Sequence, residues 1–141
     1  GARPRPRPRL PWQLHVGLTI PKQGGSPTQE LHRDGDLSLI SMDFDHAEHA
    51  ISVLYAIDGP FTEERGATRV VPGSHVWPRE RMPQPGEDLA AAMPRGSAVI
   101  YTGRTVHGAG CNSTDRPRVA LNLAFNSACL KQEENQVLLT Y

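Results

Sequence analysis

Glycine and proline residues recur throughout the chain and divide it into short apolar segments. The 141 residues include 13 Gly and 13 Pro, too many for a helical bundle, because both residues disfavour the interior of a helix. No apolar run approaches the roughly 18–20 residues that a membrane-spanning helix needs. The apolar fraction of 38% is enough for a core, whereas disordered chains have fewer apolar residues and more net charge. The pattern predicts an all-β sandwich or barrel with few or no helices.

The segments between these breakers predict short strands, with almost no helical periodicity. Residues 31–42 predict a polar strand pair or a strand followed by a loop, and residues 72–96 a long Pro-rich connection with a helical turn near 87–92. A loop is expected at 21–27. The remaining strands are expected at residues 12–20, 50–57, 67–71, 97–102, 106–109 and 118–125.

The last predicted strand alternates strictly between two kinds of side chain. Residues on opposite faces of a strand alternate with a period of two. A face of Arg, Asn and small residues suits the lining of a polar cavity inside a barrel, while the apolar face would pack outward. This chain has almost no helix to cover that outer face, so we expect a partner chain or residues outside this sequence to supply the cover. The polar face carries Arg118, Ala120, Asn122, Ala124 and Asn126, and the apolar face carries Val119, Leu121, Leu123 and Phe125.

The N-terminal residues 1–11 form an Arg-Pro repeat that is expected to be a flexible, extended arm, since proline prevents a helix there. Residues 12–141 are then the folded domain. The net charge of zero hides an asymmetry: without the four arginines of the arm, 11 basic residues face 15 acidic ones. We expect no nucleic-acid or membrane partner. The two cysteines lack CxxC spacing, which favours free thiols in the cytoplasm, with one disulfide as the alternative.

His32 and Asp34 are the strongest candidates for chemistry. An imidazole and a carboxylate at positions i and i+2 of an extended segment point to the same side, a few ångströms apart. A third ligand from a distant strand would complete a two-His-one-carboxylate facial triad, which leaves positions open on one side of Fe(II). His107 is the best third candidate, because it ends a strand beside glycines that allow close approach. Arg118 follows 11 residues later on the polar face of the last strand, and a buried guanidinium there requires an anion.

Other residues compete for these roles. Arg104 and Arg116 are alternatives to Arg118. Arg104 is expected in a turn, where contact with substrate is its other candidate role, and Arg116 is expected in an exposed loop. His46 and His49 have helical metal-binding spacing but no third ligand, which favours a solvated acidic loop at the mouth of the site. The remaining candidates are expected to be structural: His75 as a hydrogen-bonding brace, His15 as a packing residue and Cys111 as a small buried thiol.

These motifs together resemble the phytanoyl-CoA dioxygenase family. The resemblance rests on HRD at residues 32–34, GATRVVPGSH at 66–75, SAVIYTGRTVHGAGCN at 97–112 and the arginine at 118. It covers residues 29–126 and implies a double-stranded β-helix (jelly-roll) fold. It also implies a dioxygenase that uses Fe(II), 2-oxoglutarate and O2, with ascorbate as a possible stimulant. Family members are about twice as long, with N-terminal helices outside the barrel and loops that build the substrate pocket.

Carried over to this sequence, the resemblance makes His32, Asp34 and His107 the iron ligands. It makes Arg118 the partner of the distal 2-oxoglutarate carboxylate, with Thr68 and Gln29 as further co-substrate contacts. The expected activity is oxidation, usually hydroxylation, of an unactivated C–H bond in a small or medium organic molecule. The alternatives are a non-catalytic, cupin-like module that binds metal and ligand, and a barrel subunit that works only in a homo-oligomer.

Overall fold

The computed structural model describes residues 11–34 and 48–134. Over these ranges the chain is built from strands, and its helical content is a single 3-10 turn at Ser74–Val76. None of the helices found in these ranges is long and apolar enough to cross a membrane. The all-β prediction is therefore confirmed. The strands are β1 (Trp12–Lys22), β2 (Ala50–Ala56), β3 (Thr68–Val70), β4 (Leu89–Ala90), β5 (Ala98–Thr102), β6 (His107–Ala109) and β7 (Arg118–Ser127).

The strands form two antiparallel sheets in which most neighbours are distant in sequence. The larger sheet has the order β1-β7-β2-β5, and the smaller has the order β4-β3-β6. His32 adds an isolated antiparallel bridge to His107 at the edge of the smaller sheet. Antiparallel strands exchanged between two sheets in this way form a double-stranded β-helix, or jelly roll, as the sequence predicts.

The alternation predicted for the last strand is present in β7. Arg118, Ala120 and Asn126 are buried to 2%, 0% and 5% exposure, whereas the apolar residues between them are half-buried on the outer face. β2 pairs with β7 in register and buries the corresponding inward residues. The core between the sheets consists of Leu54, Ala56, Phe61, Ala67 and Ala120.

The outer face of the larger sheet carries exposed apolar surface. Ile100 of β5 is opposite Val53 of β2 and is 67% exposed. The cover expected for this face stays a prediction.

Two local predictions are wrong. β1 continues through Pro21 and Lys22, where a loop was expected. Proline has no N–H to donate to a neighbouring strand, but it is tolerated in β1 because an edge strand has a neighbour on one side only. The helical turn near 87–92 is absent, because Leu89 and Ala90 pair with Val70 and Arg69 of β3 as the short strand β4. Residues 1–10 of the predicted arm, and residues 35–42 of the segment predicted as strand and loop, lie outside the described residues.

Candidate metal and co-substrate site

The structure brings His32, Asp34 and His107 together, as the sequence predicts. One ligand atom from each residue lies within 4.8 Å of the others. The Asp34 carboxylate sits between the imidazoles, with Oδ1 at 3.6 Å from His32 Nε2 and Oδ2 at 3.4 Å from His107 Nε2. His107 opens β6, and the bridge between the two histidines holds the HRD segment beside that strand.

Backbone carbonyls fix the orientation of both imidazoles. His32 Nδ1 donates to the Glu30 carbonyl oxygen, and His107 Nδ1 donates to the Thr105 carbonyl oxygen, both at 2.9 Å. A carbonyl can only accept, so each Nδ1 carries a proton, and each ring turns Nε2, the nitrogen left for a metal, toward Asp34. Metal-binding histidines are commonly oriented by a hydrogen bond of this kind.

The three side chains therefore present electron pairs to one point. Burial lowers the pKa of His107, although the Asp34 carboxylate acts in the opposite direction, and a lowered pKa favours the neutral ring. Two imidazole nitrogens and a carboxylate oxygen that converge in this way form a cation-binding arrangement. This donor set and its facial arrangement fit Fe(II).

Among the described residues, the triad is more open on one side than on the other. His107 is 7% exposed at the inner side, whereas His32 and Asp34 retain 37% and 42% exposure. The open side of the triad is thus that of His32 and Asp34.

Arg118 lies inside the barrel at the start of β7, and it is not fully satisfied by protein groups. Its guanidinium lies 4.4 Å over the Phe61 ring, and its Nη2 donates to the Gly66 carbonyl oxygen at 2.6 Å. Its Nε atom is buried and has no hydrogen-bond partner among the residues that the structure describes. Burial lowers the pKa of Arg118, with the Asp58 carboxylate opposing that effect. A buried cation with an unused donor provides an anchor for an anionic ligand.

The other two predicted co-substrate residues occupy neighbouring positions of the smaller sheet. Thr68 opens β3, is 4% exposed and pairs with Ala109 of β6. Gln29 is exposed, and its backbone N–H donates to the Ala109 carbonyl oxygen at 2.8 Å. The Gln29 side-chain oxygen accepts from the Ala109 N–H at 3.1 Å, so this oxygen is already engaged in a hydrogen bond with the backbone. Thr68 is thus placed inside, close in sequence to the Gly66 carbonyl that Arg118 binds, and Gln29 lies at the rim.

Arg33 of the HRD motif braces the loops around the triad. Its guanidinium donates to the carbonyl oxygens of Arg104, Arg79 and Arg81 at 3.1, 3.1 and 2.9 Å. The residue between the two predicted ligands thus fastens their segment to the turn that precedes His107.

Ser74 is a second brace. This role was expected for the neighbouring His75. Ser74 Oγ accepts from the Val106 N–H at 2.8 Å and donates to the Val71 carbonyl oxygen at 2.7 Å. His75 is exposed. Because Val106 precedes His107, this buried hydroxyl supports the position of the third triad residue.

Some of the competing residues differ from expectation in their burial, and others agree with it. His49 is buried, with Nδ1 at 3.0 Å from Ser127 Oγ, and is therefore not part of a solvated loop; His46 lies outside the described residues. Cys111 is exposed, not buried, and both cysteines are free. Arg116 is exposed, as predicted. His15 lies at a β-bulge of β1 and contacts Glu133 at 3.4 Å.

Two inward-facing polar residues were not assigned to the site from sequence. Tyr101 of β5 stacks near His107, with ring centroids 4.3 Å apart, and burial raises its pKa to about 12. Asn122 of β7 has a buried Oδ1 that no group within residues 11–34 and 48–134 hydrogen-bonds. Strand alternation placed Asn122 inside the barrel, but no motif marked it.

The sequence of this chain is similar to a protein family and to several named proteins. The sequence pattern of the family described as "Phytanoyl-CoA dioxygenase (PhyH)" matches residues 6–120. The dioxygenase swnH1 of Arthroderma benhamiae is 39% identical over 132 residues, with coverage of 89% of this chain and 42% of the relative. The multifunctional dioxygenase prhA of Penicillium brasilianum is 42% identical over 133 residues, with coverage of 86% and 44%.

Solved structures share the fold. The epimerase SnoN from nogalamycin biosynthesis, in complex with Fe3+, alpha ketoglutarate and nogalamycin RO, is 26% identical with a TM-score of 0.64 and coverage of 84% of this chain and 51% of SnoN. EvdO2 from Micromonospora carbonacea var. aurantiaca, complexed with 2-oxoglutarate, is 25% identical with a TM-score of 0.67 and coverage of 89% and 56%. This chain thus spans about two fifths of the length of the curated relatives.

Proposed function

The chain belongs to the phytanoyl-CoA dioxygenase family, and we propose that it forms the catalytic barrel of an Fe(II)- and 2-oxoglutarate-dependent oxygenase for a small organic substrate. The observation that carries this proposal is the convergence of His32 Nε2, His107 Nε2 and the Asp34 carboxylate. Both imidazoles are held in the tautomer that offers Nε2 to a metal.

The residues of this chain have distinct tasks in that activity. Bound Fe(II) and 2-oxoglutarate supply the chemistry, in which decarboxylation of the co-substrate to succinate is coupled to oxidation of a substrate C–H bond by O2. His32, Asp34 and His107 would hold the metal. Arg118 binds the distal co-substrate carboxylate through its unused Nε donor. Thr68 and the Gln29 amide NH2 are proposed as additional hydrogen-bonding groups for the co-substrate.

The related proteins support this class of activity and leave its outcome open. SwnH1 and prhA are named dioxygenases, whereas SnoN is an epimerase whose structure contains Fe3+ and alpha ketoglutarate. We propose hydroxylation as the reaction of this protein. The described loop residues between Pro72 and Gly96 would border the substrate.

The test is anaerobic addition of Fe(II) and 2-oxoglutarate, followed by visible absorption of the metal-to-ligand charge-transfer band. The wild type is expected to show the band, and then to form succinate once O2 is admitted. His32→Ala and Asp34→Ala are expected to abolish the band, whereas the exposed control His75→Ala retains it. A band without succinate under any substrate would indicate a binding module. Absence of both would refute the oxygenase proposal.

A further inference from the structure

The inward face of β7 carries two buried polar atoms that no protein group satisfies. Arg118 Nε and Asn122 Oδ1 are the buried side-chain nitrogen and oxygen atoms that lack a partner over the described residues. Both residues lie on the same face of one strand, four positions apart. Buried polar atoms are normally hydrogen-bonded, so an unsatisfied pair on one strand face is a place where a polar ligand could bind.

The inward residue between these two positions has a small side chain. Ala120 lies between Arg118 and Asn122 on the inward face and is directly opposite Ala56 of β2. Both alanines are 0% exposed. The inner wall between the guanidinium and the carboxamide therefore has only methyl groups, which pack in the core with Leu54 and Phe61.

Asn122 is located between Arg118 and the triad. The next inward row toward the triad pairs Ala124 with Ser52, and Ser52 with Tyr101. The Tyr101 ring lies 4.3 Å from the His107 ring. A ligand held by Arg118 at one end and by the triad at the other must pass the level of Asn122.

An amide is unexpected at this position, because its flanking partners are apolar. Asn122 is opposite Leu18 of β1 and Leu54 of β2. A leucine at 122 would have a similar volume, would continue the row and would leave no polar atom unsatisfied. Apolar packing alone therefore does not account for the carboxamide.

We propose that Asn122 is a positioning contact for 2-oxoglutarate, an inference that rests on the function proposed above. All oxygens of the ionised co-substrate are acceptors, so Asn122 donates through its amide NH2. A half-turn about χ2 places the NH2 group where Oδ1 now lies, because the two ends of a carboxamide have almost the same shape. Asn122 would then fix the co-substrate body while Arg118 holds its distal carboxylate.

The experiment is anaerobic calorimetric titration of 2-oxoglutarate into the Fe(II)-loaded protein. Asn122→Leu is expected to weaken 2-oxoglutarate binding by roughly tenfold to a hundredfold, because a hydrogen bond to a charged group is lost. Its Fe(II) affinity should stay within about twofold of the wild type. Without ligand, this variant should unfold at the same temperature as the wild type or higher, since it removes an unsatisfied polar group. Leu123→Ala, on the outer face of the same strand, is the control and should bind 2-oxoglutarate normally.

Asn122→Asp separates a donor from an acceptor role. This isosteric change replaces NH2 with oxygen, so it should weaken co-substrate binding more than Asn122→Leu does. If Asn122→Asp binds 2-oxoglutarate as the wild type does, or Asn122→Leu leaves the Kd unchanged, the proposed contact is wrong while the oxygenase function stands. If the wild type binds no 2-oxoglutarate, both proposals fail.

Discussion

His32 and His107 are joined by reciprocal backbone hydrogen bonds, because each N–H donates to the carbonyl oxygen of the other at 2.9 Å. Their rings lie 4.7 Å apart between centroids. The main chain thus sets the distance between the two residues that carry the imidazoles. A site held in this way is preorganised for a metal.

The first prediction follows from this backbone bridge. His107→Ala should keep the fold but lose stabilisation by Fe(II) or Mn(II), which for the wild type is about 2.7 kcal/mol at a metal concentration 100-fold above Kd. The measurement is anaerobic thermal unfolding with and without metal. His75→Ala, exposed and outside the triad, should keep the full increase in Tm. An equal metal effect in His107→Ala would exclude His107 as a ligand.

Arg118→Met should separate stability from co-substrate binding. The change removes a buried cation that has an unsatisfied Nε and one hydrogen bond to Gly66. The ligand-free protein is expected to unfold with a free energy within about 2 kcal/mol of the wild type, because hydrophobic replacement of buried charge is often tolerated. 2-Oxoglutarate binding should fall at least about a hundredfold. Arg116→Met, at an exposed position, should change neither quantity, and equal binding by both variants would contradict the anchor role of Arg118.

Ser74→Ala should destabilise the segment that carries His107. It leaves the buried Val106 N–H without its acceptor, which costs about 1–3 kcal/mol. Urea unfolding measures the loss, and hydrogen exchange at the Val106 amide should accelerate by the corresponding factor. His75→Ala is the adjacent control and should stay within about 0.5 kcal/mol of the wild type. Unchanged exchange in Ser74→Ala would show that the hydroxyl is not the brace.

The sequence predicted most of what depends on spacing and alternation. The HRD motif, His107 and the inward face of β7 could be located because a strand places every second side chain on one face. The same rule placed Asn122 inside the barrel. It could not show that Asn122 lacks a partner, because the partners of an inward residue come from other strands and loops.

Features that depend on distant pairing were missed for the same reason. β4 has only two residues and exists because Arg69 and Val70 offer a partner strand, so local propensity indicated a turn. His49 lies at the end of an acidic segment and is buried only because Ser127, at the far end of the chain, reaches it. The tautomers of His32 and His107 depend on carbonyls whose directions no residue pattern specifies.

Asp88 should make the junction of β3 and β4 sensitive to acid. The Arg69 guanidinium binds the Asp88 carboxylate and holds the pKa of Asp88 below its ordinary value of 3.8. A lowered pKa in the folded state stabilises the protein above the ordinary pKa and loses that effect as the pH falls through the lowered value. The unfolding free energies of wild type and Asp88→Asn should therefore differ by up to about 1 kcal/mol at pH 7 and converge as the pH falls below 3.8 and through the lowered pKa of Asp88. Asp115→Asn, at an exposed position, is the control. A difference that persists in acid would exclude this ion pair as its cause.

Gly66 should be intolerant of any side chain because it combines a left-handed backbone with crowding at the Arg118 anchor. Its φ is +75°, and an added Cβ would lie 2.9 Å from the Gly110 carbonyl oxygen and 3.2 Å from the Asn112 backbone nitrogen. Gly86 has a similar φ of +89° with nothing within 4 Å of the added atom. Gly86→Ala should therefore cost only the backbone strain of about 1 kcal/mol, and Gly66→Ala clearly more.

The same substitution should also reach the co-substrate. The Gly66 carbonyl accepts from Arg118 Nη2 at 2.6 Å, and relief of the clash in Gly66→Ala must move the peptide that bears this oxygen. Denaturant unfolding and 2-oxoglutarate titration of both alanine variants are the measurements. Gly66→Ala should lose stability and co-substrate affinity together, whereas Gly86→Ala should keep its affinity. If Gly66→Ala binds 2-oxoglutarate as tightly as the wild type does, the Gly66 carbonyl does not position the arginine.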